Sequence, residues 1–273
     1  RYPFDEDIGL TLSLPRAQEF PLYLRVPGWC ERAELWINGR PIAVQSRPQT
    51  FLRLNREWKN GDTIKLRLPM AVRVRTWAKN AHSVSVDRGP LSYSLKIAER
   101  YVPLDGAQAI TKDYLPDAWR RELTKAQLAA WPAFEIFPNT PWNYGLVFDR
   151  ANVAASFTFA KKTWPAASNV WGSTDAPVEI KAKGRRIPAW QADETDLVGL
   201  IAEGPVRSDE PVEEITLIPM GAARLRISAF PVIDNGPEGK PWTTPPEPIT
   251  KINPRQAAAM KKEADKAAAA AKK

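Results

Sequence analysis

Apolar and polar residues alternate along the first hundred positions in short runs, not at helical spacing. Ile8 to Leu14 alternates, Phe20 to Val26 alternates until Pro27-Gly28 interrupts it, and Ala33 to Ile37 runs into Asn38-Gly39. Asn-Gly between two apolar runs is a hairpin signal, because both central residues of a type I′ turn need positive φ. Thr50 to Leu54 follows, and Asn60-Gly61-Asp62 then turns the chain into Thr63 to Leu68. There Ile64, Leu66 and Leu68 fall on one face of a strand, and Lys65 and Arg67 on the other. Ala71 to Trp77, Ser83 to Asp87 and Leu91 to Ile97 continue the series. Strands at roughly ten-residue spacing predict an antiparallel sandwich over residues 1–98.

The period changes over 99–133, where Trp119, Leu123, Ala126 and Ala130 recur at helical spacing until Pro132. That predicts a connector with one short helix. Strand signals resume at Gly145 to Phe148, Ala155 to Phe159, Val178 to Lys183, Ile215 to Ile218 and Ala223 to Ile227. They predict a second antiparallel sandwich over 134–233. From Asp234 to Pro254, Pro and Gly dominate without a period, so the ordered fold is expected to end near Ile233. The fold class is all-β: two jelly-roll or immunoglobulin-like sandwiches, a helical connector, and a linker with an Ala/Lys tail, disordered or helical, over 234–273.

Composition supports this. Twenty-six prolines in 273 residues are roughly twice the usual share of about 5%, which disfavours helix-rich folds. The net charge of +8 suggests nucleic acid until it is located. From Lys251 to Lys273 there are seven Lys or Arg against two acids, which leaves +3 for residues 1–250. The excess lies in the tail and not on a folded face, so no nucleic-acid partner is expected. No apolar run reaches the roughly 18 residues of a membrane span, and Arg1 to Asp5 does not open a signal peptide, so no membrane partner is expected either.

Chemistry-bearing residues are sparse. No G-x-G-x-x-G, Walker A, G-x-S-x-G or H-E-x-x-H pattern occurs. Cys30 is the single cysteine and His82 the single histidine, too few for an ordinary Cys/His zinc site. Cys30 reads as a structural thiol at a strand end, and His82 as a solvated imidazole in a loop. Carboxylates gather at Asp5-Glu6-Asp7, at Asp193-Glu194 with Asp196, and at Glu210 with Glu213-Glu214. A glycosidase needs two flanking a sugar bond, but these read as solvated loops and strand edges. Trp142-Asn143-Tyr144 places two rings and an amide at a strand entrance, suited to packing, to an interface or to stacking on a sugar.

Several short segments occur together in an order that resembles glycoside hydrolase family 127, the β-L-arabinofuranosidase-like family. They are Tyr2-Pro3-Phe4-Asp5, Leu24-Arg25-Val26-Pro27-Gly28-Trp29, Trp36-Ile37-Asn38-Gly39, Leu54 through Trp58 to Gly61-Asp62, Leu68-Pro69-Met70 and Arg88-Gly89-Pro90-Leu91. Pro141 to Leu146, Ala182-Lys183-Gly184-Arg185 with Ile187-Pro188-Ala189-Trp190, and Leu217 to Arg226 resemble the last domain of that family. The resemblance implies that a cysteine nucleophile, a Glu and a zinc site lie in an N-terminal (α/α)6 barrel upstream of the Tyr-Pro-Phe-Asp counterpart. On that basis this chain is expected to hold no catalytic residue, metal or cofactor. Its expected partners are the missing barrel and, as an alternative, carbohydrate. Trp142 and Tyr144 are the candidate contacts, expected to form an exposed apolar patch.

Overall fold

The computed structural model describes residues 1–103, 130, 132, 134–166, 169–192 and 198–245. The helix expected up to Ala130, the acids at 193–196 and the Ala/Lys tail lie almost wholly outside them. The described chain is all-β, its named strands pair antiparallel, and among the described residues no helix is long and apolar enough to cross a membrane.

Residues up to Leu68 build a small sandwich. One layer holds β1 (Asp7–Thr11), β6 (Thr63–Arg67), β3 (Glu34–Ile37) and β4 (Arg40–Ile42) in the order β1-β6-β3-β4. The other pairs β2 (Gln18–Val26) with β5 (Thr50–Trp58). Leu24, Val26, Leu35, Ile37, Leu52, Trp58, Ile64, Leu66 and Leu68 meet between them, the inward set that the alternation predicts. Ile37 opposes Arg40, leaving Asn38 and Gly39 as a two-residue turn with φ of 50° and 74°. Asn38 also receives the Thr63 amide and donates to Asp62, tying the hairpin to the corner before β6. That corner joins strands of different layers, since β5 pairs with β2 and β6 with β1 and β3.

Seven of the remaining strands share one sheet. Its main path runs β12 (Tyr144–Val147), β14 (Val178–Arg186), β15 (Val212–Pro219), β9 (Leu91–Leu95), β8 (Ser83–Arg88), β7 (Val72–Trp77), with β13 (Thr158–Lys161) also on β14. The strands of the first core precede residue 70 and those of the seven-stranded sheet follow it, while Phe4 packs into the second core. β10 (Glu99–Pro103) and β11 (Phe134–Pro138) pair antiparallel as a separate two-stranded ribbon.

Three expectations are corrected. Val153–Ser156 is a short 3-10 turn, because Asn152 Oδ1 accepts from the Ala155 amide; the strand starts only at Thr158. Ala223 to Ile227 is not a strand: Arg226 Nε donates to the Ala223 carbonyl, holding a turn after Pro219 ends β15. The fold also continues past Ile233. Lys240 bridges to Val206, and the Trp242 ring lies 5.8 Å from that of Trp190. A Cβ on Gly239 would sit 1.6 Å from the Asp234 carbonyl oxygen, so that close return needs glycine.

Candidate functional site

Trp142 and Tyr144 separate in the structure. Alternation along β12 sends Tyr144 into the second core, where it is 6% exposed and its hydroxyl donates to Glu213 Oε2 at 2.7 Å. Burial and the neighbouring Glu213 carboxylate push its phenol up to about 12. Tyr144 is thus a packing residue, and the expected exposed patch does not form there. Exposed rings occur elsewhere, at Tyr23, Phe51, Trp77 and Trp171.

Trp142 stays half-buried. Its ring meets Trp190 edge-on at 5.3 Å, and Trp190 in turn packs on Trp242, so three indoles form a continuous stack. Buried Asn143 fixes this corner by donating to the Ile187 and Trp190 carbonyls at 2.9 and 3.1 Å. The Trp190 indole donates to the Gly199 carbonyl at 2.8 Å. Trp142 thereby lines a groove of about 280 Å³ with Phe137, Leu225, Glu135 and Arg226. An aromatic wall with a carboxylate and a guanidinium can hold a small polar ring by stacking and hydrogen bonds. Neither Glu135 nor Arg226 stands out in sequence, since each lies 7 residues or more from Trp142; Glu135 reaches the groove on β11 and Arg226 from the turn after β15.

The acidic trio at the N-terminus is partly solvated, with Asp7 exposed on the edge strand β1, and each member has a cationic partner. Asp5 pairs with Lys161 at 2.9 Å and Asp7 with Lys65 at 3.0 Å, and Lys161 holds the Asp5 carboxyl below its ordinary value. Glu6 Oε1 receives Arg88 at 2.6 Å and the Met70 amide at 3.1 Å. The Arg88 guanidinium is buried, lies 3.7 Å from the centre of the Phe159 ring, and donates to Met70 Sδ at 3.5 Å. This constellation joins the N-terminal segment, the end of the first unit and two strands of the second sheet. Burial pulls Arg88 below its usual value, opposed by Glu6. Beside it Gly89, at φ +57°, opens the β8–β9 turn, and an added Cβ would lie 2.4 Å from Met70 Sδ. The Arg-Gly-Pro-Leu and Leu-Pro-Met segments quoted above thus meet at this junction.

Cys30 is completely buried in the first core, and burial raises its thiol, as a structural cysteine requires. His82 is exposed as expected but not alone: its Nδ1 is bonded to Glu203. Among the described residues no three His, Cys, Asp or Glu side chains gather as a metal site.

The GH127 middle-domain family of β-L-arabinofuranosidases matches residues 1–70. No curated protein matches the sequence. Similar solved structures include one described as a glycoside hydrolase, 22% identical with a TM-score of 0.49, covering 85% of this chain and 31% of its own. A GH127 β-L-arabinofuranosidase from Geobacillus stearothermophilus T6 is 22% identical with a TM-score of 0.46, covering 85% and 29%. A further GH127 β-arabinofuranosidase is 16% identical with a TM-score of 0.45, covering 85% and 30%. The chain spans about a third of the length of these proteins. Residues 1–70 are thus similar to the middle domain of the GH127 family.

Proposed function

We propose that this chain is the non-catalytic β-sandwich portion of a GH127-like glycosidase, supporting an (α/α)6 catalytic barrel. The observation that carries this is the middle-domain match at residues 1–70 in a chain spanning about a third of the length of its solved counterparts. The Glu6–Arg88–Met70–Phe159 junction is consistent with it, because it ties two cores into one stiff support. The described residues do not fit the zinc that the family implies. No trio of ligands converges, and Cys30 is enclosed by leucines and valines of the first core.

The test is to assay the purified chain on an aryl β-L-arabinofuranoside, then the same chain expressed with the coding sequence upstream of Arg1. Turnover is expected from the longer product only. Turnover by the 273-residue chain alone refutes the proposal. The Trp142 groove favours a second reading, carbohydrate binding, which predicts quenching or shift of tryptophan fluorescence by an arabinoside that Trp142→Ala abolishes.

A further inference from the structure

A second cleft, of about 380 Å³, lies away from the Trp142 groove. Its floor is apolar, made of Val74 on β7, Val84 on β8, and Phe148, Val153 and Val232. Its rim carries His82, Glu203, Arg150, Lys240 and Thr76. The volume is within the range of small-molecule sites, and an apolar floor with a few polar groups at the edge is their usual make-up.

Among the described residues the rim charges are not balanced. Glu203 is engaged by His82, whereas the Arg150 and Lys240 side chains have no hydrogen bond or ion pair among the described residues. Two cations thus border one apolar cleft, with its single carboxylate already partnered. Such a rim favours an anion, and the floor favours a ligand whose body is a ring with an apolar face.

The cleft is also preformed. Val84 and Phe230 exchange both backbone hydrogen bonds at 2.8 Å, Leu146 donates to Pro231, and Lys240 donates to Pro205 at 3.1 Å. The Gly204 amide donates to the Ala81 carbonyl at 3.0 Å, so the two loops bearing His82 and Glu203 are joined by backbone as well as side chains. Ala81 and His82 both hold positive φ, 52° and 51°, a conformation non-glycine residues seldom adopt. It turns the imidazole onto Glu203 and leaves the cationic side of the rim open. Little ordering is then needed when a ligand enters.

We infer that this cleft binds a small carboxylate carried on a six-membered ring, with one face of the ring on Phe148 and the valines and the carboxylate held by Arg150 and Lys240. The inference is independent of the barrel-support proposal. The shared chemistry is found in aromatic acids and in uronic acids, so the probes are benzoate against benzamide and D-glucuronate against D-glucose, titrated by calorimetry into the full chain. At least one acid is expected to bind about tenfold or more tighter than its neutral counterpart, and which acid does so identifies the source. The exposed substitutions Arg150→Gln and Lys240→Gln should each weaken that acid about fivefold or more without moving the melting temperature. The inference is overturned if neither acid binds at about 10 mM, if acid and neutral probes bind alike, or if the double variant R150Q/K240Q retains wild-type affinity.

Discussion

Replacing Arg88 with Met tests whether the junction between the two cores supports the whole fold. The Arg88 side chain is 7% exposed and its partner Glu6 18%, so the pair is desolvated on one side and partly wet on the other. Breaking a buried pair by removing one partner costs about 3–5 kcal/mol, and the partial exposure of Glu6 places this case near the lower end, about 3 kcal/mol. Methionine keeps some of the contact with Phe159 but leaves Glu6 with the Met70 amide and Arg67 alone. At about 2–4 °C per kcal/mol for a chain of this size, the melting temperature should fall by about 6–12 °C. Differential scanning calorimetry on the variants R88M, E6L and R88M/E6L reads this directly. The double variant should be less destabilised than the two singles summed, by about 2 kcal/mol, since it leaves no unpaired charge. A loss below about 2 °C in R88M, or strict additivity in the double variant, refutes the reasoning.

Gly89→Ala should cost about 2 kcal/mol, because alanine must hold φ +57° and displace Met70 Sδ; chemical denaturation showing no loss would mean the turn can relax. Asp62 accepts hydrogen bonds from the Lys59 amide and Asn38, which hold its carboxyl below the ordinary 3.8. A lowered folded value stabilises above the unfolded value and is lost as pH falls through the folded one. The melting-temperature gap between wild type and Asp62→Asn should therefore be widest near neutrality and close below about pH 4; a pH-independent gap counts against this. Cys30, fully enclosed, should react with a thiol reagent only at the rate of unfolding, and rapid labelling of the native chain would contradict its burial.

Local patterns in the sequence determined the strands and their inward faces. Ile64, Leu66 and Leu68 are buried as their alternation requires, and Asn38-Gly39 makes the two-residue hairpin because few other pairs tolerate positive φ twice. The ordered motifs from Tyr2 to Met70 also carried the likeness to GH127, since order survives where single motifs do not. What they left open was partnership between distant segments. Strand period alone does not say that β9 pairs with β15 across more than a hundred residues. Nor does it say which of two rings near a strand entrance turns inward: register sent Tyr144 to Glu213 and left Trp142 on a groove. Pro and Gly after Ile233 suppress any period, yet Trp242 still docks on Trp190, because burial of a ring depends on where the chain returns, not on regular structure. The pairings Glu6 with Arg88 and His82 with Glu203 likewise arose only from tertiary folding, which brings together charges 82 and 121 residues apart and gives each a partner that its neighbours in sequence do not supply.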